Sequence, residues 1–134
     1  MNKPYLLTGT LLATLLPAVL LTGCSTSISR VDLQKMLLET PPPLVVDVRS
    51  AGEYDTDHIP GALHIPFYSI GTGLGERTVP KGSPVVLYCE HGPRAGLAGI
   101  SLYLRGYGRV YSLDGQMQGW RAGGLPLAKG SDSR

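Results

Sequence analysis

The chain has 134 residues, enough for one domain. With 43% hydrophobic and 16% charged residues, it can bury a core without disulfide or metal staples. A net charge of +2 with no basic run argues against a nucleic-acid partner, and 18 Gly with 11 Pro predict many short elements joined by tight turns.

At the N-terminus, Lys3 precedes a stretch from Tyr5 to Leu21 that is apolar apart from Thr and Gly, followed by Leu21-Thr22-Gly23-Cys24. Small residues before a cleavage point are a signal-peptide pattern. The tetrapeptide resembles the lipobox of bacterial lipoproteins. That resemblance implies removal of residues 1–23, acylation of Cys24 and a membrane attachment through the lipid. More than one acyl chain makes a stable anchor. Ser25, where an Asp would signal retention at the inner membrane, favours the outer membrane. The expected location is the bacterial cell envelope, facing the periplasm. An uncleaved membrane helix is the alternative, although the run is near the lower spanning length and contains Pro17. Residues 24–29 then read as a lipidated tether, 30–128 as the domain and 129–134 as a flexible tail. With Cys24 acylated, Cys89 has no partner in the chain. A lone thiol in an exported protein is buried and inert, paired between molecules, or reactive.

Ser29 and Asp32 predict a helix start, with Val31, Leu33, Met36, Leu37 and Leu38 mostly on one side. Three prolines at 41–43 end it. Residues 44–48 read as a strand buried on both faces. Residues 50–57 read as a short helix with the capping-box pair Ser50 and Glu53. A turn at 58–62 feeds a strand at 63–65, and 71–84 is a loop-rich excursion. Residues 84–88 form the second buried strand, ending at Cys89. Residues 94–104 are helical in pattern, with Leu97, Ile100, Leu102 and Leu104 available for a core face. A strand at 109–113 and a short helix at 115–122, with Trp120 in the core, complete the order. Strands alternating with helices imply a single α/β domain with a mostly parallel central sheet flanked by helices. Sites in such sheets lie at the carboxyl ends of strands, where Cys89 falls.

The segment Cys89-Glu90-His91-Gly92-Pro93-Arg94-Ala95 has the parts of an anion-cradling loop: a strand end, a short curl and an immediate helix start. N–H groups at a helix start favour negative charge, and such a setting raises a thiol's thiolate fraction. Gly92 can take the angles of a tight curl, and Pro93 suits the first helical position while removing one N–H donor. Arg94 adds a fixed charge able to grip an oxyanion.

Around this loop lie Val45-Val46-Asp47-Val48-Arg49, Glu53-Tyr54, the run from His58 to Pro66, Leu113-Asp114-Gly115, Gly119-Trp120 and Gly123-Gly124-Leu125-Pro126. In this order, spanning residues 45–127, they resemble a single-domain rhodanese, close to the small exported sulfurtransferases. The resemblance implies a rhodanese-like fold in which Cys89 accepts the outer sulfur of thiosulfate and releases sulfite. The persulfide then passes to cyanide or a thiol, which is covalent catalysis. It also implies that the backbone from Glu90 to Ala95 cradles the persulfide and that Arg94 orients the loop or binds the oxyanion. Four residues separate Cys89 from Arg94, matching the sulfur-transferring members rather than related phosphatases, whose loop is one residue longer. Two departures stand out: Ala95 in place of a Ser or Thr, and Gln116 in place of the second Gly of an Asp-Gly-Gly turn.

Asp47 and Arg49 are expected to pair structurally and fix the loop. His58 and His64 read as turn or scaffold residues. His91 is open to a proton-donor, substrate-contact or solvent-facing role, and Glu90 is expected to point outward. No His, Cys and carboxylate set has metal spacing, and no cofactor is expected. The expected partner is a small sulfur-containing substrate, with a protein sulfur acceptor as a further possibility, and the chain is expected to be a monomer. The alternative reading is a persulfide carrier or sensor that turns over poorly with small molecules. An inert docking fold is disfavoured by Cys89, Gly92 and Arg94.

Overall fold

The computed structural model describes residues 26–130. The expected signal peptide, Cys24 and residues 131–134 lie outside the described residues. In chain order the elements are β1 (Thr26–Ile28), α1 (Arg30–Met36), β2 (Leu44–Asp47), α2 (Ala51–Thr56), β3 (Leu63–His64), a 3-10 turn (Phe67–Ser69), α3 (Ile70–Glu76), β4 (Val85–Tyr88), α4 (Pro93–Leu104), β5 (Val110–Leu113) and α5 (Gln116–Ala122). The five strands form one sheet in the order β1-β5-β4-β2-β3, and every neighbouring pair is parallel. This is the expected α/β architecture.

The β-branched runs of β2 and β4 occupy the middle of the sheet because both of their faces are covered. Val46, Val48 and Leu87 face a core shared with Ile70 and Leu74 of α3 and with Ala95, Ala98 and Leu102 of α4. Val45, Val86 and Tyr88 face the opposite core, with Leu33 of α1 and Met117 and Trp120 of α5. Each strand thus feeds two cores through its two-residue alternation. The predicted caps form: the Ser29 hydroxyl accepts from Asp32 N–H, and Ser50 and Glu53 close a reciprocal capping box.

Four expectations need correction. Residues 26–28, expected to be tether, form edge strand β1, paired in register from Thr26 with Tyr111 to Ile28 with Leu113. Backbone bonds to the free edge of β5 suffice for this, and Ile28 is the one β1 residue that is buried. The tail begins later than expected, since His58 and Ala128 exchange backbone hydrogen bonds and Gly130 N–H donates to Asp55 C=O. The loop-rich excursion contains α3, whose glycines permit close contact: a Cβ on Gly73 would stand 2.7 Å from Ile65 Cγ2.

The fourth correction concerns α4, where only Leu102 of the four expected core residues faces the core. Ala95, Ala98, Gly99 and Leu102 are buried, whereas Leu97, Ile100, Tyr103 and Leu104 are exposed. Small residues let this helix sit close to the sheet, and shape outweighs hydrophobicity in choosing the buried face.

Candidate active site

Cys89 follows the last residue of β4 and is a buried free thiol, placed where α4 begins. Its backbone is held on both sides. Cys89 N–H donates to Gln116 Oε1 at 2.8 Å, and Cys89 C=O accepts from Met117 N–H at 3.0 Å. Glu90 C=O accepts from Gln118 N–H at 3.4 Å, so the first turn of α5 fastens the outer side of the loop. The chain then curls back at Gly92, whose φ of 119° is a conformation L side chains rarely adopt, and its N–H donates to Cys89 Sγ at 3.0 Å. Pro93 opens α4, and the first bond of that helix runs from Gly96 N–H to Gly92 C=O. The N–H groups of Arg94 and Ala95 therefore precede the first helical bond and remain available at the helix end. Ala95 itself is buried in the core beside Cys89.

Arg94 makes a two-pronged pair with Glu53, with Nη1 at 2.7 Å from Oε2 and Nη2 at 2.8 Å from Oε1. Glu53 Oε2 also accepts from Ser50 N–H at 3.0 Å and from Ser50 Oγ at 2.7 Å. One carboxylate thus caps α2 and orients the loop arginine. Arg94 holds the Glu53 carboxyl well below the usual range despite opposing burial, and the same pair, with the Cys89 sulfur as a further partner, raises Arg94. Arg94 is therefore a fixed cation in the first turn of α4, held in place by Glu53.

Asp47 and Arg49 form the expected structural pair, wholly buried, with Arg49 Nη2 2.7 Å from Asp47 Oδ2. Burial alone would lower Arg49, but the hydrogen bonds and charge of Asp47 outweigh it and raise the group. Arg49 also donates to Glu90 Oε2 at 3.1 Å and to Asp57 C=O at 2.5 Å. Glu90 is not outward in solvent as expected. It turns to Arg49 and to Arg121, which also grips Asp57 through Nε at 2.6 Å and Nη2 at 2.7 Å. A carboxylate next to the thiol is thereby occupied by two cations.

Sequence reasoning missed Arg121, Asp57 and the use made of Gln116. Gln116 fills the expected glycine position with a φ of 53°, and its Nε2 donates to Leu113 C=O at 2.6 Å and to Ser112 Oγ at 3.1 Å. Its carbonyl is thereby aimed at Cys89. The three histidines are not gathered at the sulfur. His58 is buried, stacked on Tyr54 at 3.8 Å; His64 Nε2 is 2.9 Å from Arg49 C=O; exposed His91 lies 3.1 Å from Gln118 Oε1. Among the described residues no group of three or more His, Cys, Asp or Glu could hold a metal ion.

Two predictions follow from this geometry. Gln116→Ala strips the buried Cys89 N–H of its acceptor, which should cost about 1–3 kcal/mol in denaturant unfolding. Gln116→Gly loses the same bond but suits the positive φ, so it should exceed the alanine variant in stability by about 1 kcal/mol. Equal stabilities would remove the strain argument.

The second concerns pH. Asp57 and Glu90 are held below their ordinary values of 3.8 and 4.5, first by hydrogen bonds from Arg121 and against the opposing effect of burial. Depressed folded values mean that these pairs stabilise the fold fully above the unfolded values and fail only as pH falls through the lower folded ones. Acid unfolding, followed by Trp120 fluorescence, should begin only below about pH 4. Arg121→Gln should move that transition to higher pH; an unmoved transition would count against the network.

Comparison with known proteins places the chain in a family. The model of the rhodanese-like domain matches residues 29–123. A sulfurtransferase of Allochromatium vinosum is 38% identical over 96 residues, covering 72% of this chain and 88% of that protein. Thiosulfate sulfurtransferase GlpE of Pseudomonas savastanoi is 34% identical over 89 residues, covering 66% and 82%. Among solved structures, a thiosulfate sulfurtransferase from Pseudomonas aeruginosa superposes with a TM-score of 0.72 at 27% identity, over 81% of this chain and 20% of that one. With a buried thiol at a helix start and relatives matched over most of their own length, the chain belongs to the rhodanese-like family and is an enzyme of the sulfurtransferase kind.

Proposed function

We propose that the enzyme moves sulfane sulfur from thiosulfate, or a similar donor, to a thiophilic acceptor such as cyanide or a thiol, through a persulfide on Cys89. The observation that carries this reading is the donation of Gly92 N–H to Cys89 Sγ at 3.0 Å, at the start of α4, whose first turn holds the fixed charge of Arg94. The relatives named as thiosulfate sulfurtransferases support the choice of donor.

The Cys89 thiolate attacks the outer sulfur of thiosulfate and forms an S–S bond. The bond within thiosulfate breaks, and its electron pair leaves on sulfite. The outer sulfur of the persulfide carries negative charge, and the N–H groups of Arg94 and Ala95 at the helix start can hold it there. The acceptor then attacks that sulfur, becoming thiocyanate when it is cyanide, and the electron pair of the S–S bond returns to Cys89 as thiolate. No outside oxidant or reductant is needed. Arg94, already paired with Glu53, contributes its charge without reorganising during the step. The same reading anchors the chain by acylated Cys24 in the bacterial cell envelope, with the domain facing the periplasm.

Turnover of thiosulfate and cyanide to thiocyanate, measured for the wild type beside Cys89→Ser, tests the function. Intact mass after thiosulfate alone is measured in parallel. The expected result is one added sulfur atom in the wild type only, with turnover abolished in the variant. A sulfur adduct without turnover would favour a persulfide carrier for a protein acceptor. Turnover that survives in Cys89→Ser would overturn the assignment of the nucleophile.

A further inference from the structure

The parallel sheet has two unlike ends. Cys89 lies at the carboxyl end, whereas β1 begins at the amino end, with Thr26 opposite Tyr111. The chain therefore enters the domain at the end remote from the thiol. In the sequence the apolar stretch closes at Leu21, five residues before Thr26, and Cys24 precedes Thr26 by two. An extended chain reaches about 3.5 Å per residue, so Thr26 stands within about 17 Å of Leu21 and about 7 Å of Cys24. Whichever of the two meets the bilayer, the amino end of the sheet is held close to it.

That end carries the side chains a bilayer would receive. Helices α1 and α4 run back from the carboxyl end, and Leu38, just beyond α1, and Leu104, closing α4, are 87% and 77% exposed. A cavity of about 380 Å³ beside Leu38 is lined by Leu37, Ile59, Pro60, Trp120 and Pro126. Basic residues flank the loop that follows Leu104. Arg105 folds back over Gly71 of α3 and donates to Ser101 C=O at 3.1 Å and Ser101 Oγ at 2.7 Å, whereas Lys81, whose C=O accepts from Gly108 N–H, places its ammonium 4.0 Å from the Tyr107 ring, and exposed Arg109 precedes β5. Two exposed carboxylates, Glu39 and Glu76, are close by in the chain.

We propose that the amino end of the sheet docks on an anionic phospholipid bilayer. Leu38 and Leu104 enter the headgroup layer, and Lys81 and Arg109 meet the lipid phosphates. The proposal rests on the reading that the N-terminal segment anchors the chain. Its consequence is an orientation: a strand of four residues, about 13 Å long, separates the docked end from Cys89, which opens away from the membrane. The sulfur acceptor then reaches Cys89 from the aqueous side.

The test uses the full chain, extracted from membranes and reconstituted into vesicles of phosphatidylglycerol with phosphatidylcholine, or of phosphatidylcholine alone. Amide hydrogen exchange is read by mass spectrometry. In the anionic vesicles, exchange at residues 37–39 and 104–109 should slow by about tenfold relative to the neutral ones, while residues 90–92 are unchanged. The double variant Leu38→Asp, Leu104→Asp should lose that protection yet still sediment with the vesicles. Sedimentation without protection at either segment, or protection centred on residues 90–92, would overturn the docking and leave the anchor standing. Failure of the wild type to sediment with either vesicle would overturn the anchor and the docking with it.

Discussion

Arg49 lies wholly inside the protein, where its guanidinium donors must find protein acceptors instead of water. It finds them on Asp47 at the end of β2, on the backbone of Asp57 just past α2, and on Glu90 immediately after Cys89. A buried cation that loses its partners is strongly destabilising, so these three segments are constrained to one relative geometry. Arg121 repeats the constraint from α5 by gripping Asp57 and Glu90. The loop that carries the thiol is thus fixed from the side opposite its helix, and the acidic residue beside the sulfur is kept occupied.

Within that frame the loop is shaped by two unusual backbone positions. Gly92 bends the chain so that its own N–H meets the sulfur, and Gln116 accepts a left-handed conformation to bring a carbonyl to Cys89 N–H. Arg94 completes the arrangement from the helix side, its orientation set by a carboxylate that also starts α2. Charge and hydrogen-bond donors are in place before any substrate arrives, which is the condition for stabilising a sulfur anion without reorganisation.

Much of this was legible in the sequence because it is local. The valine runs of β2 and β4, the Ser50–Glu53 box, and the order Cys, Gly, Pro, Arg each carry their physical meaning within a few residues. The structural pairing of Asp47 with Arg49 was equally readable, two residues apart on one strand end. What escaped was long-range or shape-driven. Arg121 meets Asp57 across 64 positions, and no periodicity announces such a pair. Edge strand β1 rests on backbone bonds to β5 and has little apolar pattern of its own. On α4, close packing placed alanines and glycine beside Leu102 in the core and left the larger Leu97, Ile100 and Leu104 exposed, against what hydrophobicity alone would choose. Gln116 was visible as a departure from the family turn, but its contact with Cys89 depends on the fold bringing α5 beneath the loop.

The central claim is that Cys89 holds transferred sulfur in a cradle of backbone donors at the start of α4. A crystal structure of the protein after treatment with thiosulfate and removal of excess reagent tests it most directly. The account predicts one extra sulfur bonded to Cys89 Sγ, within hydrogen-bonding distance of loop N–H groups, with Arg94 still paired to Glu53. An unmodified Cys89 in a protein shown by mass to carry the added sulfur, or an outer sulfur turned away from those donors, would contradict it.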